Sequence, residues 1–150
     1  MAVFETRLKS TGNAFRELFV RDGRNPILTA GDWPYAVNTV FNPAATAFRG
    51  GTLLLARVED RRGLSHLTKA FSENGETNWK IDRWPTLEPG PDRPEEAWGL
   101  EDPRITRIDE LDAWAVVYTA YSRAGPTVSL ALTKDFMTFE KLGPVMPPDD

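Results

Sequence analysis

The sequence predicts an all-β fold built from repeated four-stranded units, and three features carry that prediction. From Phe41 onward, short runs rich in β-branched and aromatic residues alternate with Gly, Pro, Asn and Asp. A proline-rich stretch from Pro85 to Pro94 divides these runs into two groups, and it must be a surface connection because proline cannot donate to a central ladder. The two groups resemble each other at an offset of about sixty residues, roughly the length of one four-stranded propeller blade with its loops.

Taken in order, Met1 to Ser10 alternates apolar and charged residues and lacks the apolar centre of a secretion signal. Gly12 to Arg21 places Phe15, Leu18 and Phe19 at nearly helical spacing, but the run is short and mixed enough to fit a helical turn or a strand. Residues 1–25 are therefore expected to form an N-terminal segment and residues 26–150 the β domain. Strands are expected at Ala44 to Phe48, Thr52 to Val58, Ser65 to Phe71, Ile105 to Ile108, Ala113 to Tyr121 and Thr127 to Leu132. The repeat aligns Phe41-Asn42-Pro43-Ala44 with Glu101-Asp102-Pro103-Arg104, and Gly63 with Gly125. It also aligns Lys69 to Ser72 with Leu130 to Thr133, and Glu76 to Trp79 with Phe136 to Phe139. Two such units and a leading segment make only a partial propeller, since propellers have about four to eight blades.

Composition narrows the function. With 150 residues, 41% hydrophobic and 27% charged, the chain is the size and character of one packed domain. A net charge of −4 and a pI near 5.1 argue against a nucleic-acid partner, because backbone-binding proteins concentrate Lys and Arg. No stretch approaches the length of a membrane span, so a cytoplasmic location is expected. There is no cysteine, and His66 is the single histidine. Thiolate chemistry, a multi-histidine zinc site and a triad needing a second histidine are thereby excluded.

Chemistry concentrates in the repeat. Asn42 and Asp102 occupy equivalent places, where the start of an innermost strand would point a polar side chain toward a central pocket. An Asx before proline can equally cap its own turn. Around Asp102, the run Trp98-Gly99-Leu100-Glu101-Asp102-Pro103-Arg104 supplies an aromatic face, two carboxylates and a guanidinium, which are the groups a sugar site needs. Arg57 could serve the same site or pair with Glu59 or Asp60 at the surface. Trp79 and Trp114 fit a core position better than a sugar platform, whereas Trp33 and Trp98 fit a pocket.

Successive motifs then resemble glycoside hydrolase family 130, the β-mannoside phosphorylases. They are Asn42-Pro43-Ala44-Ala45, Leu54 to Asp60 with Gly63-Leu64-Ser65, Gly99 to Thr106, Tyr118 to Ser122 and Thr133 to Phe136. The resemblance implies a five-bladed β-propeller of which this chain is the N-terminal portion, ending before the ring could close and catalytically feeble alone. It implies inverting phosphorolysis of β-mannosides to α-mannose 1-phosphate, with Asp102 as general acid acting through the mannosyl 3-hydroxyl. Asn42, Arg57, Asp60, Glu101 and Trp98 would then contact the sugar, and Arg57 and Arg123 the phosphate. No metal and no cofactor are implied beyond inorganic phosphate as co-substrate, and self-association is left open. A β-mannosidase of the same family, a non-catalytic carbohydrate-binding fragment and an arabinanase-like hydrolase are the competing readings.

Overall fold

The computed structural model describes residues 20–146 and the backbone of two short antiparallel strands, β1 (Arg7–Leu8) and β2 (Arg16–Glu17). Within the run from Gly12 to Arg21, residues 12–15, 18 and 19 lie outside the described residues, as does the acidic end at 147–150.

Eight further strands follow: β3 (Thr39–Phe48), β4 (Gly51–Glu59), β5 (Ser65–Ser72), β6 (Lys80–Ile81), β7 (Gly99–Ile108), β8 (Ala113–Ser122), β9 (Gly125–Thr133) and β10 (Glu140–Met146). β3 to β6 form one antiparallel meander and β7 to β10 a second, so the internal repeat is a structural one. The β3–β4 hairpin turns on Arg49 and Gly50, both at positive φ, as the right-handed twist of the paired strands favours.

Both β3 and β7 begin earlier than the strand pattern of the sequence places them, because each runs through its proline on a bulge. In β3, Phe41 pairs with Arg57 and Ala44 with Leu55, so Asn42 and Pro43 together oppose one residue. In β7, Glu101 pairs with Thr119 and Arg104 with Val117, leaving Asp102 and Pro103 in the same relation. Asn42 and Asp102 each have φ 45°, a conformation Asn and Asp tolerate better than most residues. The proline that follows lacks an N–H, and a bulge leaves one residue outside the ladder.

The propeller expectation, five-bladed or partial, is corrected by the strand order. β10-β9-β8-β7-β5-β4-β3 form one continuous hydrogen-bonded path, with β6 attached to β5. It is a single open eight-stranded sheet that does not close into a ring. The joint is a parallel step in which Ser65 of β5 pairs with Gly99 of β7. Gly99 has φ +123°, and a Cβ there would lie 2.6 Å from the Ser65 carbonyl oxygen and 2.7 Å from its nitrogen. The missing side chain is what lets the second meander continue the ladder of the first rather than stand as a separate blade.

The larger core draws on both meanders: Leu53, Leu55 and Leu67 from the first, and Leu100, Val116, Tyr118, Ala120, Ala131 and Phe136 from the second. Each fully buried leucine contributes roughly 1.5–3 kcal/mol. Trp114 packs against this cluster, edge-on to Phe48. A smaller cluster covers the other face of the first meander, where Trp33 meets Ala56 and Val58. Trp33 is thus a core residue rather than a pocket wall.

The proline-rich connection is anchored by Glu96, which is fully buried. Its carboxylate accepts from Tyr118 Oη at 2.7 Å, Gly90 N at 2.7 Å and Lys141 Nζ at 2.5 Å. Three donors from three elements satisfy a charge that would be costly to bury alone. Among the described residues no helix is long and apolar enough to cross a membrane.

The loops after β5 and β9 repeat one design. Ser72 Oγ donates to the Thr77 carbonyl and Thr133 Oγ1 to the Thr138 carbonyl. Asn74 and Asp135 accept from the backbone N–H groups two and three residues on. This aligns Thr77 with Thr138, one residue away from the sequence repeat, which sets Thr77 against Met137.

Candidate functional site

The two bulges bring their side chains together. Asn42 Nδ2 donates to Asp102 Oδ1 at 3.0 Å, joining equivalent positions of the two meanders. Neither residue spends its side chain on capping its own turn; each points it across to the other meander.

Arg57 completes the group from β4. Its Nη2 donates to Glu101 Oε1 at 2.6 Å and its Nη1 to Asp102 Oδ1 at 3.1 Å. Nε donates to Ser65 Oγ at 3.0 Å, and the guanidinium lies 4.4 Å from the centre of the Phe41 ring. The arginine therefore does not pair with Glu59 or Asp60. Pairing of Phe41 with Arg57 across β3 and β4 sets it beside the aromatic, and the β5–β7 joint delivers the carboxylates to it. Its side chain is 15% exposed, against 37% for Asp102, so the pair sits at the rim of the core with the aspartate facing outward. An ion pair partly shielded from water in this way is stronger than a fully exposed one.

The electrostatics separate the two carboxylates. Burial raises the pKa of Glu101, with Arg57 opposing and Asp102 and Glu59 reinforcing. Burial pushes Asp102 the same way, but hydrogen bonds from Asn42 and Arg57 and the charges of Arg57 and Arg104 outweigh it and hold Asp102 below its ordinary value. Neighbouring acids whose proton affinities are driven apart are a signature of sites that move protons.

Three sequence candidates make no contact with this group among the described residues. Asp60 caps the β4–β5 turn: its Oδ1 accepts from the Arg62 and Leu64 N–H groups at 2.7 and 3.2 Å, and Oδ2 pairs with the Arg62 guanidinium. Arg123 is exposed in the β8–β9 turn and makes no ion pair among the described residues. Trp98 is 44% exposed and stands edge-on to Tyr121 at 5.4 Å, immediately before β7. Two residues with contacts to Arg57, Ser65 and Phe41, do not stand out as site residues in the sequence. Their link to Arg57 depends on the register of β4 with its neighbours, which the linear motifs do not reveal. Among the described residues no cluster of His, Cys, Asp and Glu could hold a metal ion.

The chain belongs to glycoside hydrolase family 130, described as β-1,4-mannooligosaccharide phosphorylase, which matches residues 14–148. A glycosyl hydrolase from Bacteroides ovatus is similar at 31% identity, covering 73% of this chain and 32% of its own, with a TM-score of 0.67. A second structure comes from the mannoside phosphorylases of this family, said to contain hydrolases that target β-1,2 mannosidic linkages in Candida mannan. It shares 29% identity over 81% of this chain and 39% of its own, with a TM-score of 0.72. The β-1,2-mannobiose phosphorylase of Listeria innocua shares the fold, with a TM-score of 0.73 at 22% identity over 85% of this chain and 51% of its own. The chain thus spans between about a third and a half of these structures' lengths. No curated protein matches the sequence.

Proposed function

We propose that this chain carries the acid side of a β-mannoside phosphorylase site, acting in inverting phosphorolysis of β-mannosides to α-mannose 1-phosphate. The observation that carries the reading is the Arg57 fork, which spans Glu101 and Asp102 while Asn42 holds Asp102 from the opposite meander. Asp102 donates a proton to the glycosidic oxygen, by way of the mannosyl 3-hydroxyl as the family resemblance implies. Phosphate attacks the anomeric carbon from the other face as the bond to the leaving sugar breaks.

An acid held below its ordinary pKa is ionised at neutral pH and has no proton to give until its surroundings raise its proton affinity. Phosphate engaging Arg57 would draw the guanidinium's charge from Asp102 and add negative charge of its own. Both effects raise the proton affinity of the carboxylate, so arrival of the nucleophile readies the acid. Asn42, Asp60, Glu101 and Trp98 are assigned to the sugar, Arg57 to sugar and phosphate, and Arg123 to the phosphate, as the family resemblance implies.

Hydrolysis is the second reading, favoured by the description of mannosidic hydrolases within the family. It needs a carboxylate placed to activate water across the sugar, with the two carboxyl groups about 6.5–9.5 Å apart. The carboxylate beside Asp102 is Glu101, and it is bound by the same guanidinium rather than left free to activate water. The test is Asp102→Asn in a protein of the relatives' length that carries this sequence. Turnover of β-1,4-mannobiose is expected to fall about 10²–10⁴-fold while mannobiose binding persists; undiminished turnover would remove Asp102 from the role of acid.

A further inference from the structure

Arg57 is the hinge of the proposed site, yet its own orientation is set by a residue outside the charged group. We infer that Ser65 is the positioning residue of this site: its hydroxyl, buried in the seam between β5 and β7, fixes the direction of the Arg57 fork. The inference rests on the phosphorolysis reading for its purpose, though its geometry is independent of the reaction.

Ser65 is 2% exposed. On one side its backbone pairs with Glu59 of β4, two residues from Arg57. On the other it pairs with Gly99 of β7, two residues before Glu101 and three before Asp102. The strand carrying the cation and the strand carrying the carboxylates therefore meet on this one residue. The approach is close enough that a Cβ on Gly99 would overlap the Ser65 backbone. From that clamped position Ser65 Oγ accepts the Arg57 Nε–H. With Nε fixed and the plane stacked near Phe41, the two Nη groups diverge, one to each carboxylate. Each Nη uses one of its two hydrogens there, and the planar guanidinium leaves the second on each nitrogen for an incoming oxyanion. Without the hydroxyl, Nε loses its anchor to the seam, and only Phe41 and the two carboxylates are left to orient the fork.

Nuclear magnetic resonance of the folded chain tests this without turnover. The Arg57 Nε–H of the wild type is expected to exchange with solvent at least about tenfold more slowly than that of Arg123, which is exposed in the β8–β9 turn. Ser65→Ala should abolish that protection and move the Asp102 carboxyl titration upward, toward its ordinary value. Ser129→Ala deletes another fully buried serine hydroxyl, one without a hydrogen-bond partner among the described residues, and should change neither signal. Rapid exchange of Arg57 Nε–H in the wild type would overturn the inference even if Ser65→Ala failed to fold. So would a folded Ser65→Ala protein whose Asp102 titrates as before. Inorganic phosphate added to the same wild-type sample separates the two claims. Failure to perturb the Arg57 signals would count against the phosphorolysis reading, while the exchange and titration results would still decide whether Ser65 positions the fork.

Discussion

Asn42 and Asp102 show how much one residue can carry. Each sits at φ 45° on a bulge, and the bulge turns its side chain out of the alternation to meet the other. Asn42→Gly keeps a residue at ease in that backbone conformation while removing the donor to Asp102 Oδ1. The pKa of Asp102 is expected to rise in this variant, as carboxyl-resolved titration would show. The sign for stability follows. A carboxylate held low favours the folded state above its unfolded pKa and loses that advantage as pH falls through its folded one. The variant should therefore show less loss of stability on acidification than the wild type over that window; an unchanged Asp102 titration would mean that Arg57 alone holds it. At this scale, equivalence in the repeat makes Asn42 and Asp102 legible, because the Asx-Pro pair recurs at a fixed offset. Asp60 binds its own turn for a physical reason that the linear motif does not show: a short carboxylate at the start of a tight turn finds backbone N–H groups first.

The elements are legible where they alternate and obscure where they do not. β4, β5, β8 and β9 lie within two residues of their expected bounds, because each combines β-branched or aromatic residues with a turn at both ends. β3 and β7 are cut short at their prolines in the sequence pattern, since nothing in the linear sequence says that a bulge will absorb the missing donor. β10 contains Gly143 and Pro144, and β6 is only two residues long, so neither carries a strand signal. The parallel step at Ser65 and Gly99 is invisible in the sequence, being a contact between distant parts of the chain. It is also the element most open to test. Gly99→Ala places a Cβ against backbone atoms at a φ that L-residues avoid and should cost at least about 2 kcal/mol in urea unfolding. Gly63→Ala shares the positive φ but meets open space, and should cost only roughly 1–2 kcal/mol. Equal losses would show that the seam is not a close approach.

At the scale of the molecule, the two meanders are held together by a shared core, by the β5–β7 joint and by the site itself, where a β4 cation binds β7 carboxylates. Stability should therefore report on pH through groups in either meander. His66, against Tyr35 Oη at 2.9 Å, is depressed below its ordinary 6.5 by burial, with Asp60 opposing and Arg62 adding to the effect. The neutral ring is the form that suits the fold. The stability it contributes is complete above about pH 6.5 and is lost as pH falls from there toward its folded pKa. Denaturant midpoints measured between pH 7.5 and 5.5 should fall more in the wild type than in His66→Gln; parallel curves would take His66 out of the balance. The all-β class and the repeat are legible from the strand runs and their offset. The arrangement of the repeats is not, because strand runs specify meanders but not whether neighbouring meanders join edge to edge. The central claim is that the Arg57, Asn42, Glu101 and Asp102 group belongs to a site that uses phosphate. Its most direct test is release of mannose 1-phosphate from β-1,4-mannobiose, with and without inorganic phosphate, by a protein of the relatives' length carrying this sequence. The account predicts α-mannose 1-phosphate only when phosphate is present, and far less from the 150-residue chain alone; free mannose released equally in its absence would contradict it.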